Sequence, residues 1–215
     1  MNSVSFVVKN LLQLQRLIFL LLIAAMNGAA ADAGPLPQNC TTNCVTSYGA
    51  VLGSTAEGIK AYSNCQGGCV VFDPHQENGT YTGIKWQCVE FTRRWLISQH
   101  GLTFGDVDVA ADMWALKTLT KLSDQSSVAL KTFENGAKQP PKRGDLLIYG
   151  REFLGTGHAA IVLQVDRKRG ILLVAEQNLK NQKWPGNYAR TIQLIQKNGR
   201  YWLLDAYLLG WKRLE

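Results

Sequence analysis

The five cysteines of the 215-residue chain divide into two equally spaced pairs and a single residue. Three residues separate Cys40 from Cys44, and three separate Cys65 from Cys69. In an exported protein such pairs form two disulfides, and the equal spacing favours bridges from one pair to the other. The sequence leaves all three connectivities open, and a four-thiolate zinc site is the alternative. Both uses of the pairs leave Cys88 as a free thiol.

The N-terminus has the pattern of an export signal. Lys9 and Arg16 precede the apolar run 17–26, and an alanine-rich segment at 29–33 follows that run. The run is shorter than the roughly 20 residues that span a bilayer. We predict a signal peptide over residues 1–31 and a secreted or periplasmic protein, with no stable membrane insertion after cleavage. An uncleaved signal that anchors the protein to the membrane is the alternative.

The charge of the remaining chain narrows its range of partners. Removal of Lys9 and Arg16 with the signal lowers the formal net charge from +7 to +5 and leaves enough chain for one domain with a core. The basic residues are scattered and form no stripe with aromatic residues, which argues against nucleic-acid binding. A mild positive charge favours anionic surfaces such as a cell wall.

The chain divides into a short leader and one main domain. We predict a cysteine-containing leader and loop at 32–57 and the domain at 58–215. The spacing of apolar residues predicts a helix over 87–100, ended by Gly101, and a second helix over 109–122.

Apolar runs typical of strands follow these helices. They lie at 145–149, 158–166, 171–176, 189–196 and 201–209, and a turn at 167–170 joins the second run to the third. Helices first and strands afterwards predict an α+β fold in which N-terminal helices pack on an antiparallel sheet.

Cys88 is predicted at the beginning of the first helix, where many proteins place a cysteine nucleophile. Such a thiol needs a base, and the chain has three histidines. His75 lies in a polar loop, which indicates a solvated residue. His100 lies about 18 Å from Cys88 along the helix axis, too far to reach the thiol. His158 begins an apolar strand after a Gly-Thr-Gly sequence and is the favoured base, and a hydrogen-bonded residue at the sheet edge is its alternative reading.

An acidic residue on the next strand is a candidate to orient this base. Glu176 and His158 lie nine residues from the first residue of the turn, so a hairpin brings them to a similar height. Their side chains share a face if the turn leaves an odd number of unpaired residues or if a bulge intervenes. A simple four-residue loop would instead place Gln177 or Leu179 beside the histidine. Asn178 is the second candidate for the orienting residue.

Three sequence blocks resemble one known family. They are Gly83-x-Lys85-Trp86-Gln87-Cys88-Val89-Glu90-Phe91-x-Arg93-Arg94, Gly157-His158-x-Ala160-Ile161 and Ala175-Glu176-Gln177-Asn178. They closely resemble the amidase domain of bifunctional glutathionylspermidine synthetase/amidases, which belongs to the CHAP family of cysteine, histidine-dependent amidohydrolases/peptidases. The resemblance extends over roughly residues 58–212 and implies a papain-like, NlpC/P60-like CHAP fold.

The resemblance also implies roles for individual residues. Cys88 corresponds to the nucleophile, His158 to the base and Glu176 to the third member of a triad that requires no metal or organic cofactor. Arg93 and Asn178 are implied to help hold the substrate.

The helix that follows Cys88 offers further candidates. Gln87 precedes the nucleophile, and its side chain is expected to stabilise the tetrahedral oxyanion together with the backbone N–H of Cys88. A solvated helix arginine is the alternative reading of Arg93. Glu90 and Arg94 are predicted to form a pair on the helix surface.

We therefore predict a secreted cysteine amidohydrolase/peptidase that cleaves an amide through a thioester, with peptidoglycan peptides as the favoured substrates. A small peptide–polyamine amide of the glutathionylspermidine type is the alternative substrate. Two non-enzymatic alternatives are a cell-wall-binding or partner-binding module that keeps the fold, and a disulfide protein in which Cys88 pairs with an upstream cysteine. No feature of the sequence indicates the oligomeric state.

Overall fold

The computed structural model describes residues 35–215, in which strands predominate. The strands are β1 Val51–Ser54, β2 Lys60–Tyr62, β3 Pro74–Glu77, β4 Thr80–Ile84, β5 Leu102–Thr103, β6 Thr118–Lys121, β7 Ser127–Glu134, β8 Leu146–Tyr149, β9 His158–Asp166, β10 Ile171–Ala175, β11 Arg190–Lys197, β12 Arg200–Leu204 and β13 Leu208–Leu214. The α-helix of the described residues, α1, spans Cys88–His100, and 3-10 helices span Gln38–Cys40 and Ala110–Ala115.

Nine of these strands form one antiparallel sheet in the order β12-β11-β10-β9-β8-β13-β7-β6-β5. The apolar runs of β8 and β9 lie in the middle of this order and are buried. Burial on both faces explains why these strands are almost continuously apolar. The prediction of an α+β domain built on an antiparallel sheet is confirmed.

α1 packs on this sheet and presents its first residue to the strand ends. Gln87 has an extended backbone and precedes the helix. Gly101 adopts the left-handed conformation, with φ of 62°, and its N–H bonds to the carbonyl of Ile97, which ends the helix. Phe91 and Trp95 join Ile161 of β9 in one core cluster. The helix predicted over 87–100 is confirmed.

The second predicted helix, over 109–122, is wrong. Its first half is the 3-10 helix Ala110–Ala115, and Leu116 then becomes extended. Thr118 and Thr120 belong to β6, which pairs with β7. Their β-branched side chains favour a strand once a neighbouring strand is available. The prediction of several N-terminal helices is therefore not confirmed for the residues described.

Residues 36–57, which the sequence predicts as leader and loop, belong to the same compact unit as residues 58–215. β1 lies within this segment and pairs with β2. Two nested disulfides, Cys40–Cys69 and Cys44–Cys65, join the segment to the residues before β3. The prediction of two disulfides between the pairs is confirmed, and these sulfurs are unavailable as zinc ligands.

The predicted signal peptide and its membrane-anchor alternative fall in residues 1–34, outside the described part of the chain. From residue 35 onward, no helix is both long enough and apolar enough to span a bilayer. The two disulfides are typical of an oxidising compartment outside the cytosol.

Candidate active site

Cys88 is a free and nearly buried thiol at the N-terminus of α1, with 8% of its surface exposed. Burial raises the pKa of this thiol, but a hydrogen bond with His158 and the charge of its ring lower it. The backbone N–H groups of Ala159 and Val89 lower it further, so the pKa lies below its ordinary value. A thiol in this setting is ionised more readily and becomes a better nucleophile. The alternative in which Cys88 forms a disulfide is wrong.

His158 is the first residue of β9, and it is 2% exposed. The preceding Gly157 has a φ of +72°, and a Cβ atom there would lie 2.8 Å from the Cβ of Ala111. Glycine therefore allows this strand to begin against the 3-10 helix. Burial lowers the pKa of His158, but the neighbouring Cys88 and Glu176 outweigh this effect and raise the pKa to about 9.

Glu176 follows the end of β10 and reaches His158 because β9 contains a bulge. The turn at 167–170 leaves four residues unpaired, since Ile171 pairs with Asp166. Leu173 still pairs with Gln164, but Val174 pairs with Val162. Leu163 is therefore the extra residue in β9, and the shift of register moves Glu176 to the face that carries the histidine.

The resulting contact is a hydrogen bond between two buried groups. Nε2 of His158 donates to Oε2 of Glu176 over 3.1 Å. Burial raises the pKa of Glu176, but the hydrogen bond and charge of His158 and the positive charge of Arg190 lower it below its ordinary value. Because Nε2 is engaged in this way, Nδ1 is the ring nitrogen left to face Cys88.

Arg190, which sequence reasoning did not assign to the site, lies behind Glu176. Its Nε donates to Oε1 of Glu176 over 2.6 Å, and its Nη2 contacts Oε2 at 3.2 Å. Nη1 of Arg190 contacts Asp205 at 2.7 Å, and Nη2 also donates to the hydroxyl of Tyr149 over 3.1 Å. The residues lie on separate elements, so no local motif identifies this network. The sequence offered one indication of this role, which is that Arg190 lies in a predicted strand.

A cavity of about 490 Å³ opens in front of Cys88 and His158. Its wall includes Phe72, which is 85% exposed, and Leu154, which is 71% exposed. Asp106 also lines it and gives one side a negative charge. The site therefore combines an activated thiol and a paired imidazole with room for a substrate of moderate size.

Residues 76–178, which include the thiol, the imidazole and the carboxylate, match the family model of the CHAP domain. The chain contains a CHAP domain. The family comprises cysteine, histidine-dependent amidohydrolases/peptidases, and the matched residues contain the free thiol and the buried histidine that such chemistry requires.

The relatives of this CHAP domain include larger proteins. The bifunctional glutathionylspermidine synthetase/amidase of Escherichia coli (strain K12) is 32% identical over 189 residues, which cover 80% of this chain and 30% of that protein. The protein of the same name from Shigella flexneri gives the same values. Trypanothione synthetase of Crithidia fasciculata is 30% identical over 159 residues, which cover 74% of this chain and 24% of that protein. The chain thus spans less than a third of the length of these relatives.

Gln87 and Asn178 lie together in the cavity wall of the CHAP domain. The side-chain nitrogen of Asn178 donates to Oε1 of Gln87 over 2.7 Å. Asn178 has a left-handed backbone, with φ of 57°, and its Oδ1 accepts from Asn64 over 3.2 Å. These bonds fix both amides next to the thiol, so neither side chain orients His158 in the place of Glu176.

Arg93 lines the same cavity but is 2% exposed. Its guanidinium donates to the carbonyl oxygens of Thr82, Phe104 and Gly105, at 2.8, 3.2 and 3.0 Å. The alternative of a solvated helix arginine is therefore wrong. These bonds hold the wall of the cavity together, and the implied substrate role of Arg93 stays a prediction.

Glu90 and Arg94 form a pair that is buried, and the prediction of a pair on the helix surface is wrong. Nε of Arg94 donates to Oε1 of Glu90 over 2.7 Å, and both side chains are at most 3% exposed. Gln177 donates to the same carboxylate over 2.9 Å. His75 contacts it at 3.0 Å, so the prediction of a solvated histidine is also wrong. α1 has no solvent-facing side at these positions, because β3 and β4 cover it.

Proposed function

We propose that the protein is a thiol amidase that acts through a Cys–His–Glu triad. The thiolate of Cys88 attacks an amide carbonyl, and the imidazolium of His158 then gives its proton to the leaving amine. Water, deprotonated by the same imidazole, hydrolyses the thioester and releases the acid. Glu176 holds the imidazole in place and stabilises its charged form.

The observation that carries this proposal is the coupling of a buried free thiol to an ion-paired histidine. A structural cysteine in an apolar core has a raised pKa and is inert. The pKa of Cys88 is instead lowered, and that of His158 is raised, which is the pattern of a thiolate–imidazolium pair.

The tetrahedral intermediate needs hydrogen-bond donors for its oxyanion. We assign this role to the backbone N–H of Cys88 and the side chain of Gln87. Asn178 receives the substrate beside them, and Arg93 helps to hold the substrate from the cavity wall that its three hydrogen bonds to carbonyl oxygens fix. A papain-like, NlpC/P60-like arrangement, with the thiol on a helix and the base on the sheet, supports these roles.

Peptide amides outside the cytosol are the substrates we favour, and peptidoglycan peptides are the first candidate. The two disulfides support this choice because they indicate an oxidising compartment. A peptide–polyamine amide is the second candidate, since the E. coli and S. flexneri relatives are named glutathionylspermidine synthetase/amidase.

The test is incubation of the protein with purified peptidoglycan and, separately, with glutathionylspermidine, with products identified by mass spectrometry. A new amine and its matching carboxylic acid are expected from one of the two, and Cys88→Ala is expected to release neither. Amine release by Cys88→Ala at the parent rate would contradict the mechanism. Binding to cell walls without cleavage, and without alkylation of Cys88 by iodoacetamide, would favour the binding module.

A further inference from the structure

The carboxylate of Glu176 has two cationic partners, and one of them lies outside the proposed triad. Glu176 is 5% exposed, so water contributes little to its solvation. One oxygen accepts from His158, and Arg190 contacts both oxygens. A buried carboxylate with the imidazole as its single partner would tend to take up a proton, because burial disfavours the charged form.

Arg190 is in turn fixed from the other side. The carboxylate of Asp205 contacts its Nη1 at 2.7 Å and also accepts a 2.7 Å hydrogen bond from the hydroxyl of Tyr149. The strand register places Tyr149 and Arg190 on the face of the sheet that carries His158 and Glu176. Tyr149 pairs with His158 across β8 and β9, and Arg190 pairs with Val174, two residues before Glu176.

We propose that Arg190 is a positioning residue that holds Glu176 ionised and turned towards His158, and thereby keeps the catalytic thiol reactive at neutral pH. The effect of Arg190 on catalysis rests on the proposed function, but the effect of Arg190 on the reactivity of the Cys88 thiol does not. The charged or titratable groups that contact the carboxylate are His158 and Arg190. Asp205 contacts Nη1 of Arg190, and the hydroxyl of Tyr149 contacts the same Nη2 that contacts Glu176.

Loss of Arg190 acts on the thiol through two steps. Burial raises the pKa of Glu176 once the guanidinium no longer opposes it. A protonated Glu176 no longer stabilises the imidazolium of His158, so the thiolate loses its counter-charge and the pKa of Cys88 rises. The pH at which alkylation of the thiol becomes fast should therefore move upward.

The experiment measures the rate of Cys88 alkylation by iodoacetamide as a function of pH, followed by intact-protein mass spectrometry. The disulfide-bonded cysteines do not react. We expect Arg190→Gln to shift the acid limb of this profile upward by about one pH unit, which slows alkylation about tenfold at a pH below the limb. A limb that stays in place or moves downward overturns the proposal.

Arg213 provides a matched control. Its guanidinium makes two bonds to Asp145, of 2.7 and 2.6 Å, and its side chain is 18% exposed against 19% for Arg190. This pair touches no member of the triad. Arg213→Gln should lower the melting temperature and leave the acid limb unchanged. An equal shift in both variants would show a general loss of packing and would overturn the positioning role.

Arg190→Lys keeps the positive charge but not the two-point contact, and it covers the case in which Arg190→Gln does not fold. Its acid limb should lie between those of the parent and Glu176→Gln. A limb that coincides with the parent, while Glu176→Gln shifts it, overturns the proposal. Alkylation needs no substrate, so it tests this inference independently of the proposed function. If the acid limbs shift as expected but no amide is cleaved, the proposed function is wrong and this inference still holds.

Discussion

Nε2 of His158 lies 3.1 Å from Oε2 of Glu176, although a regular hairpin would place these side chains on opposite faces of the sheet. The single extra residue Leu163 in β9 produces the contact. β-bulges commonly change the direction of side chains next to active sites. This bulge determines that His158 contacts Glu176 and not a neighbouring amide side chain.

Replacement of Glu176 by glutamine tests the importance of this contact. Glutamine keeps the shape but cannot stabilise an imidazolium, so we expect kcat to fall roughly 10²- to 10⁴-fold with a smaller change in KM. Steady-state kinetics on the amide that the incubation experiment shows to be cleaved provide the measurement. Glu57→Gln, which breaks an ion pair with Arg143 instead, serves as the control and should keep parent activity. Equal losses in both variants would argue against the triad.

The pH dependence of hydrolysis follows from the lowered pKa of Cys88 and the raised pKa of His158. The thiolate–imidazolium pair exists between these two values. Activity should therefore fall above a pH of about 9, as the imidazolium loses the proton that the leaving amine needs. It should also fall on the acid side, as the thiolate takes up a proton. A profile of kcat/KM from about pH 4 to about pH 10 would show a bell, and a single rising limb would contradict the pair.

The buried carboxylate of Glu90 should make the fold sensitive to acid. Burial raises its pKa, but hydrogen bonds from His75, Arg94 and Gln177 and the charge of Arg94 lower it from 4.5 to about 2. A carboxyl with a lowered folded pKa stabilises the protein above its unfolded pKa, and this contribution disappears as the pH falls towards the folded value. We expect about 3 kcal/mol of the free energy of unfolding to be lost between these two pH values.

Urea unfolding at several pH values measures this loss. Glu90→Gln should be less stable than the parent at pH 7 by about 3 kcal/mol, because it removes the buried counter-charge of Arg94 and leaves only the more distant and exposed Glu77, at 3.9 Å. The variant should also lack most of the acid-dependent decline. Glu134→Gln, at an exposed position of β7, is the control and should follow the parent curve. An unchanged acid decline in Glu90→Gln would show that other groups cause it.

Removal of the two disulfides should have different effects on substrate binding. The carbonyl of Cys69 accepts from Gln87 over 3.4 Å, and Val70 and Phe72 beyond it line the cavity. The double variant Cys40→Ser/Cys69→Ser frees this wall, so we expect a higher KM and a loss of stability of about 2–5 kcal/mol.

Cys44→Ser/Cys65→Ser is the matched comparison, since it removes a disulfide of similar loop length, with a sequence separation of 21 against 29. Its stability should fall by a similar amount, but its KM should change less. Kinetics and thermal melts of both double variants provide the measurement. A larger KM effect in Cys44→Ser/Cys65→Ser would contradict a direct link from Cys69 to the cavity.

Much of the domain could be predicted from local patterns. The helix that carries Cys88, the strands that carry His158 and Arg190, and the turn at 167–170 all follow from hydrophobic period and turn residues. The helix predicted over 109–122 failed because β6 pairs with the next strand, β7. The other errors fall where side chains contact partners far along the chain. Glu90 pairs with Arg94 on one helix, as predicted, but β3 and β4 bury the pair.

The sequence by itself determined which chemical groups the protein has: one cysteine outside the two disulfide pairs, a histidine at the beginning of a buried strand, and an acidic residue at the end of the next. These three features depend only on the order of residues and on hydrophobic periodicity, which are local properties of the chain. Tertiary structure decided that Leu163 shifts the register, that Glu176 faces His158, and that an arginine from β11 completes the site. Each of these depends on the pairing of separate strands, where a slip of one residue reverses every side chain.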